Sequence, residues 1–465
     1  MSTLSPPQPV PRNPRRLRYY LAGFLLLMAA TLVGYYFVAG WLADRELQKV
    51  YRELDADDPN WRWNDLIAEK PMPPDDRNAA LQVRKVSWLL KISLSTLNSP
   101  IYLNARLSKA EKKSLRDPLG DLDPGTIEEA RKLKDLPDGR YPVPPVKDAG
   151  VGSGINLTIR YVMMLLQHDA ILRANDGNIE EAGESCQALL HTTYSLDGYP
   201  AFMACLLRMA GRELALATLE RVLASGVVSR ERLRMMQGAL EREARSDALY
   251  HAMRGERALR HECYLLLKKG EVSHKEMLGG LKTRVPTQFY DLFPSLLLLS
   301  HGEELRLQTE QVHASKLRDE AQMAAMQAVA QKMKKNADIT TPFTLRLIAD
   351  MTQSEQRTQA KLRCAITALA AERFRLERGD WPRGADDLVK AGMLKETPMD
   401  PYGGQPLLWK RTTTGIIVHS IGPDKIDHGG KLSRGSALAA PATNWGFELW
   451  SPEFRGVPAP AEAEK

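Results

Sequence analysis

Cysteine is scarce in this 465-residue chain, and its four copies lie too far apart to form a recognisable metal or redox motif. Cys186, Cys205, Cys263 and Cys364 include no C-x-x-C pair, which argues against a structural zinc site or a thioredoxin-like centre. An oxidising compartment would permit disulfides, and Cys186 with Cys205 is the one pair that falls on consecutive predicted helices. The sequence favours buried free thiols on apolar helix faces over that disulfide.

The sequence motifs of several enzyme classes are also missing. There is no G-x-S-x-G elbow and no H-E-x-x-H zinc motif, since the His-Glu pair that begins at His261 is followed by Cys-Tyr-Leu. The glycines of segment 150–154 follow no predicted strand and precede no G-K-[ST], so a phosphate-binding loop is not indicated. The nine histidines are scattered, and no spacing singles out a pair of carboxylates. Two functional hypotheses stay open: a non-enzymatic binding protein, and a hydrolase whose active site is assembled from residues distant in sequence.

A concentrated basic surface is absent from the body of the chain. The formal net charge is +7, but Arg12, Arg15, Arg16 and Arg18 stand in the first 18 residues, which contain no acidic residue. The remaining chain carries 60 basic and 57 acidic residues, a balance of +3. This balance argues against a basic surface that binds nucleic acid. The excess positive charge lies in the first 18 residues, where it indicates how the chain is oriented in a membrane.

Charge is missing altogether from Tyr19–Ala43, a run of 25 residues. As a helix this run is about 37 Å long, enough to cross a hydrocarbon core of ~30 Å. It is longer than the apolar segment of a cleaved signal peptide, so it predicts an uncleaved signal anchor. The preceding arginines place the N-terminus in the cytoplasm and the bulk of the chain outside the inner (cytoplasmic) membrane. Aromatic residues typical of membrane interfaces lie toward both ends of the run: Tyr19, Tyr20, Tyr35, Tyr36 and Trp41.

The region 44–154 is predicted to connect the span to the body. It begins with a polar helix and continues through proline-rich segments that end any long helix. A helix is expected over 75–97 and a short one near Ile127–Leu133. Trp61 and Trp63 are expected to pack a small turn over the helices that follow.

Residues 155–335 predict a helical body. Apolar residues recur at helical spacing through 155–270, with a turn at the NDGN sequence and Ser229 as an N-cap. The helix after this turn resembles the second helix of a tetratricopeptide-type hairpin, although no 34-residue repeat is present. Stacked helical hairpins and an ordinary helical bundle therefore remain alternatives. One long helix with a methionine stripe is predicted over 304–335.

The last part of the chain changes from a helical to a mixed pattern. A helix is followed by Trp-Pro at 381–382, by Pro-Met-Asp-Pro-Tyr-Gly at 398–403 and by Ser-Ile-Gly-Pro-Asp at 420–424. Leu407–Lys410 and Ile416–Ile421 predict a β-hairpin. Over about 80 residues these segments resemble the globular domain of type II secretion major pseudopilins, which implies a small α+β domain. The combination with a span and a helical body is similar to membrane-anchored proteins of planctomycete-type bacteria, a resemblance that implies no biochemical activity.

The pseudopilin resemblance implies a candidate calcium site. In that family the last loop binds calcium through aspartates and backbone carbonyls, and Asp424 and Asp427 fall in the corresponding loop. Lys425 adds a positive charge there, and the later acidic run of the family is replaced by KLSRGSALAAPATN. Calcium prefers six to eight oxygen ligands, so two carboxylates also fit the alternative of a hydrogen-bonded surface turn.

The predicted α+β domain differs from pseudopilins in its distance along the chain from the hydrophobic segment. About 300 residues separate Tyr19–Ala43 from the pseudopilin-like helix, whereas pseudopilins carry their hydrophobic segment at the start of that helix. Arg346, Arg357 and Arg363 in this helix are incompatible with a packed intramembrane filament core. The span is therefore predicted to be an anchor, and the α+β domain is predicted not to form a filament.

The predicted fold is mainly α, with stacked, partly tetratricopeptide-like helical hairpins after one transmembrane helix and a small C-terminal α+β domain. The predicted function is a non-enzymatic, membrane-anchored, extracytoplasmic binding or scaffold protein linked to a secretion-type envelope apparatus. Its expected partners are the lipid bilayer and envelope proteins, with no nucleic acid and calcium as the one candidate cofactor. The predicted segments are a disordered basic tail (1–18), the anchor (19–43), a connecting region (44–154), the helical body (155–335), the α+β domain (341–450) and a disordered tail (451–465).

Overall fold

The computed structural model describes residues 14–90, 103–120, 122–123, 125–146, 159–273, 295–335, 341–434 and 443–458. Within these ranges the protein is mainly helical, as the sequence predicts, and carries one three-stranded antiparallel sheet of order β1-β2-β3. The helices are α1 (Pro14–Asp57), α2 (Trp63–Glu69), α3 (Ala79–Leu89), α4 (Lys109–Gly120), α5 (Gly125–Arg131), α6 (Ile159–Asn175), α7 (Ile179–Tyr194), α8 (Phe202–Ser225), α9 (Arg230–Ala244), α10 (Ala248–Lys269), α11 (Ser295–Lys316), α12 (Asp319–Lys335), α13 (Thr341–Arg378) and α14 (Ala385–Lys390). The strands are β1 (Leu408–Arg411), β2 (Gly415–Ser420) and β3 (Trp445–Trp450), and short 3₁₀ turns occupy Asp75–Arg77, Lys132–Asp135 and Pro452–Phe454.

Helix α1 runs without a break from the uncharged segment into the polar segment that follows it. In the uncharged segment Tyr19 is 78% and Leu26 is 72% exposed, whereas Leu47 and Val50 farther along are buried. Among the described residues, α1 is the helix that is long and apolar enough to cross a membrane. The predicted length and apolar composition of this helix are thus confirmed, while its insertion into a bilayer and its direction across it stay predictions.

The hairpin predicted within 155–270 is formed by α6 and α7, which meet at the NDGN turn. Gly177 in this turn has a φ of +90°, a left-handed conformation that favours glycine. Leu166 of α6 and Leu189 of α7 are fully buried in the same hydrophobic core. Ser229 caps α9, since its Oγ accepts a hydrogen bond from the backbone N–H of Arg232 at 3.2 Å.

The single helix predicted over 304–335 is wrong, because the structure divides it into α11 and α12. Asp319 at the start of α12 has a φ of +55°, which is incompatible with a continuous helix. The side-chain amide of Gln322 donates hydrogen bonds to the carbonyls of Ser315 (3.0 Å) and Leu317 (2.7 Å) and so satisfies the end of α11. The apolar spacing continues through the break, which is why the pattern alone predicts one helix.

The connecting region holds more helix than the sequence predicts. Helix α4 was not predicted because half of its residues are charged and it contains Pro118, yet its Leu115 is buried against α6. The helix expected over 75–97 corresponds to α3, and its residues after 90 lie outside the described ranges. It begins at Asn78, whose side chain accepts a hydrogen bond from the backbone N–H of Ala80 at 3.0 Å.

Strands β1 and β2 form the predicted hairpin, and β3 adds a strand that was not predicted. Strand β3 pairs antiparallel with β2 from Gly415↔Trp450 to Ser420↔Trp445. Strand β2 is buried along its whole length because it lies between two strands and packs on α13. The alternation of Trp445 with Phe447 and other buried apolar residues is the period-of-two signal from which β3 could have been predicted.

One hydrophobic core joins the helical body to the C-terminal α+β segment. Val83 of α3, Leu166 of α6, Leu369 of α13 and Val418 of β2 are all fully buried in it. The end of the described chain also returns to the connecting region, where the backbone N–H of Val457 donates to a carbonyl at Asn104 over 3.0 Å. The α+β segment is therefore an integral part of the body.

A second group of contacts across this core consists of buried ion pairs. Glu372 of α13 is fully buried and accepts two hydrogen bonds, at 2.8 and 2.9 Å, from the guanidinium of Arg455. Burial opposes ionisation of Glu372, but Arg375 and Arg455 together hold the pKa of its carboxyl below the usual range. A bidentate pair of this kind fixes the chain after β3 against α13.

Glu243 of α9 lies at the centre of a larger buried network. Its carboxylate accepts hydrogen bonds from Arg208, at 2.7 Å, and from Arg212 of α8. Arg208 also contacts Asp197 at 2.6 Å, and Arg212 reaches Glu355 of α13 at 3.3 Å. Burial opposes ionisation of Glu243, but the guanidinium groups of Arg208 and Arg212 hold the pKa of its carboxyl below the usual range. Glu243 is therefore a buried carboxylate.

We expect Glu243→Gln to lower the free energy of unfolding by about 3 kcal/mol, because it leaves two buried guanidinium groups without their shared counter-charge. Urea unfolding of the purified full chain measures this loss. The matched control is Glu231→Gln, at an exposed position of the same helix, which should cost less than about 1 kcal/mol. Equal losses in the two variants would show that the network does not stabilise the fold.

Candidate functional site

The structure places both predicted calcium ligands in the loop after β2 and pairs each of them with a histidine. Asp424 Oδ2 lies 2.8 Å from His428 Nε2, and Asp427 Oδ1 lies 3.0 Å from His419 Nε2. Asp427 Oδ1 also accepts a hydrogen bond from the backbone N–H of Gly429 at 2.8 Å. The hydrogen bonds from these histidines are the main reason why the pKa values of both carboxyls are lowered.

The same loop is organised around the fully buried side chain of Asn444. Its Oδ1 accepts hydrogen bonds from the backbone N–H groups of His428 (3.0 Å) and Gly430 (3.2 Å). Its Nδ2 donates to the carbonyls of Ile426 (3.1 Å) and Ile421 (3.4 Å). An amide of this chain thus satisfies the loop carbonyls that a cation would use, and a calcium ion would have to displace it.

Asp400 joins the two C-terminal motifs that carry the pseudopilin resemblance. This buried carboxylate accepts hydrogen bonds from Tyr402 N (2.9 Å), Ser420 Oγ (2.8 Å) and Ile421 N (2.8 Å). The turn at 398–403 and the segment 420–424 are therefore held together by one side chain. In the described ranges no group of three or more His, Cys, Asp or Glu side chains is arranged to hold a metal ion.

A second cluster, of histidine and aromatic side chains, lies beside the C-terminal part of α1. The sequence analysis did not predict this cluster. His261 of α10 and His301 of α11 are both buried, with His261 Nδ1 3.1 Å from His301 Nε2. The ring of Tyr264 stacks on that of His301 with 3.8 Å between centroids. Tyr51 of α1 and Trp61 contact the His261 ring, at 5.1 and 4.8 Å between centroids.

Burial keeps His261 and Tyr51 of this cluster neutral, and Glu304 at its edge is charged. Burial lowers the pKa of His261 to about 3, so its imidazole is neutral at physiological pH, and it raises the pKa of Tyr51 to about 12. At the edge, Glu304 Oε2 lies 3.6 Å from His301 Nδ1, and Glu304 accepts a 3.0 Å hydrogen bond from Arg260. Burial opposes ionisation of Glu304, but His301 and Arg260 outweigh it and lower its pKa to about 2.

Ion pairs surround this cluster and attach α1 to the body. Arg306 of α11 contacts Glu46 at 2.6 Å and Glu53 at 2.9 Å. Just after α1, Asp58 binds both Arg254, at 2.8 Å, and Arg257 of α10. The further pairs along the same face are Lys268–Asp44 and His313–Asp57, each at 2.7 Å.

The apolar part of this attachment follows helical spacing on α1. Leu47, Val50 and Leu54 are buried in one cluster with Trp61 and Leu305. Trp61 is fully buried and donates a hydrogen bond to Asp55 at 2.9 Å. We call this contact zone, formed by residues 44–58 of α1 and its end against α10 and α11, the root of the anchor.

The four cysteines carry no reactive thiolate in this structure. All are free, with Cys186, Cys205 and Cys364 buried and Cys263 half-buried, which confirms the prediction of free thiols for the buried three. Burial raises the pKa of Cys205 and of Cys263 to about 12, and it raises that of the other two as well. Protonated thiols of this kind are poor nucleophiles and poor metal ligands.

Comparison with known proteins adds no relative, because no family model, no curated protein and no solved structure matches the chain. The resemblance to pseudopilins therefore rests on the residues quoted above and stays a prediction.

We expect acid to destabilise the root of the anchor through His261. Because its pKa is lower in the folded protein than the usual 6.5, the unfolded chain binds more protons between about pH 6.5 and 3. The free energy of unfolding should therefore fall as the pH falls from 7 to 5, and His261→Gln should reduce this slope by up to ~1.4 kcal/mol per pH unit. Unfolding in detergent at several pH values measures the slope.

The matched control for this titration is Gln48→Asn, at an exposed position of the same root that carries no titratable group. This variant should keep the slope of the unmodified protein. A His261→Gln slope equal to that of the control would contradict the prediction.

We expect calcium chloride and a chelator to give the same melting temperature for the full chain, since N–H donors of the chain already satisfy Asp427 and the loop carbonyls. Thermal unfolding with and without excess calcium tests this expectation. A rise in the melting temperature that disappears in Asp424→Asn and Asp427→Asn would instead establish the calcium site.

Proposed function

We propose that this protein is a single-pass, membrane-anchored binding or scaffold protein that holds a helical body outside the cytoplasm. The observation that carries the proposal is the continuity of α1: an exposed apolar half passes directly into a buried half that is clamped into the body. Lipid is the medium that suits the exposed half, and the clamp means that the body follows the orientation of the helix. The proposed role is to present this body to envelope proteins at a fixed position near the membrane.

The chemistry of the described side chains supports a non-enzymatic role. The buried thiols have raised pKa values and His261 has a lowered one, so these groups are held in their unreactive or neutral forms. The buried carboxylates Glu243 and Glu372 are paired with arginines that join distant parts of the chain. Such pairs stabilise a particular arrangement of the chain, as expected of a rigid platform.

The C-terminal segment supports a role outside a filament. Helix α13 packs on α9, α12 and β3, so the helix that would form the filament core in a pseudopilin is occupied within its own body. Arg357 and Lys361 of this helix both contact Glu213 of α8, at 3.2 and 2.5 Å. We propose that the pseudopilin-like segment is a structural element of the scaffold, linked to a secretion-type apparatus through its partners.

Sidedness is the first test of this proposal. A cysteine introduced at Glu310, which is exposed on α11, should react with a membrane-impermeant maleimide in intact cells, whereas one at Ser5 should react only after lysis. The native thiols have raised pKa values and provide a slow background. The reverse pattern would overturn the proposed orientation.

Partner capture is the second test. Cross-linking in intact membranes, followed by solubilisation, should recover an envelope protein with the full chain. The control is an unrelated soluble domain fused to Tyr19–Ala43, which removes proteins that bind the span alone. Failure to recover any partner specific to the full chain would contradict a scaffold role.

A further inference from the structure

The two edges of the three-stranded sheet differ in how their backbone groups are satisfied. The outer edge of β3 is closed by side chains from elsewhere in the body. The backbone N–H of Glu448 donates a hydrogen bond to Glu220 of α8 at 2.9 Å. The carbonyl of Trp450 accepts one from the guanidinium of Arg455 at 2.7 Å. A further strand could pair with β3 only by displacing these side chains.

The outer edge of β1 can be identified from its hydrogen bonds to β2. In an antiparallel pair, residues whose backbone N–H and C=O point at the partner strand alternate with residues whose groups point away. Just after β1, the backbone N–H of Thr412 donates to the carbonyl of Gly415 at 2.9 Å, and the register with β2 continues without a bulge. Thr412 and Lys410 therefore face β2, whereas the backbone groups of Trp409 and Arg411 point away from it.

Residues 409–411 form an open edge of the sheet. Among the residues that the structure describes, none donates a hydrogen bond to the backbone of Trp409 or Arg411 or accepts one from it. Earlier on the same side, the N–H of Leu407 donates to the carbonyl of Pro398 at 3.0 Å, and Pro398 has no N–H with which to return a second hydrogen bond. The last two residues of β1 are exposed. The open edge therefore offers two donors and two acceptors to a further strand.

The two exposed side chains of the open edge are basic and lie on opposite faces of the sheet, since successive residues of a strand alternate in direction. Lys410 donates a hydrogen bond to the carbonyl of Gly429 at 2.6 Å, and Arg411 pairs with the exposed Asp380 at 2.5 Å. Opposite charges at facing positions of neighbouring strands stabilise a sheet, and like charges destabilise it. An added strand is therefore favoured when two consecutive residues are acidic, one for each face.

A second copy of this chain fits the open edge poorly. In a two-fold dimer the two β1 strands would pair antiparallel through their outer edges. Such pairing sets Lys410 opposite Lys410 or Arg411 opposite Arg411, which is unfavourable. The one other register uses the backbone of Leu407, which already donates its N–H to Pro398. The charges thus disfavour self-association, as is usual for edge strands, but they favour an acidic strand.

We propose that the open edge of β1 is the docking site for an extended, acidic segment of a partner protein, which adds as a fourth strand of the sheet. The backbone of Trp409 and Arg411 binds the segment, and Lys410 and Arg411 select its two acidic residues. The side chain of Trp409 packs against the hydrophobic core and holds the edge in place. The inference rests on the proposed scaffold function and adds the surface and the kind of partner segment.

Peptide binding to the full chain in detergent micelles tests this proposal. The probe is an end-blocked, fluorescein-labelled peptide of sequence Thr-Val-Glu-Glu-Val-Thr, and its affinity is measured by fluorescence polarisation. It should bind about tenfold more tightly than the same peptide with lysine in place of both glutamates. A similar advantage is expected over a peptide methylated on its backbone nitrogens, which has no N–H to donate. No binding, or equal affinity for either control peptide, would overturn the proposal.

Variants of Arg411 test the edge from the side of the protein. Arg411→Pro removes an outward N–H and the charge at an edge position where proline is tolerated, so it should weaken peptide binding about tenfold. The matched control is Arg411→Lys, which keeps the N–H and the charge and should bind like the unmodified protein. Unchanged affinity in a folded Arg411→Pro variant would contradict docking at this edge. If that variant does not fold, the methylated peptide decides.

Cross-linking in intact membranes separates this inference from the scaffold function. The same envelope partner recovered with Arg411→Pro as with the unmodified chain would keep the scaffold role and overturn the edge as its contact. No partner with the unmodified chain would overturn the scaffold role itself, whatever the peptide does.

Two other occupants of the open edge would also overturn the proposed partner segment. A dimer of the full chain that dissociates in Arg411→Pro, measured by sedimentation, would assign the edge to a second copy. A tenfold rise in peptide affinity on deletion of residues 459–465, which contain Glu462 and Glu464, would assign it to the end of this chain.

Discussion

The structure depends on the root of the anchor. Here α1, which is apolar and exposed over its first half, becomes part of the interior of the protein. Leu47, Val50 and Leu54 turn one face of α1 into part of the core, and the Asp58 carboxylate closes the end of the helix with two arginines of α10. Apolar burial supplies the attachment, and the ion pairs define its register, since a shift of α1 by one residue would separate the charged partners. The position of the body relative to the exposed apolar half of α1 follows from this contact.

Buried charge has a similar role in the body. Glu243 joins α8 to α9 and, through Arg212, to α13, while Glu372 joins α13 to the chain after β3. Ion pairs of this kind add little net stability compared with apolar residues of the same volume, but they disfavour alternative packings strongly. The helices of this protein have ordinary amphipathic faces that could stack in several ways, and any arrangement that separates these pairs leaves a buried charge without its partner.

The sequence predicts those features that depend on neighbouring residues. The long apolar helix, the NDGN turn, the Ser229 cap and the hairpin of β1 and β2 each have a local signal, and each is present. The break at Asp319 was missed because apolar spacing continues across it. The histidine cluster was missed because His261 and His301 are 40 residues apart and meet only once α10 and α11 pack on α1. The aspartates of the candidate calcium loop could be located from motifs, but the Asn444 amide that fills the loop comes from 17 or more residues later.

The completion of the core by the last described residues has a consequence for biogenesis. Strand β3 and Arg455 supply the partners of β2 and Glu372, and the backbone of Gly456 binds a carbonyl at Ala224 of α8. During translation α1 precedes the body, so on the proposed anchor function it can enter the bilayer while the body is still being synthesised. The body itself cannot close until its final strand has been translated and, on the proposed orientation, translocated. A chain with this order of assembly leaves its apolar helices without their final packing partners for most of its synthesis, and exposed apolar surface of this kind favours aggregation.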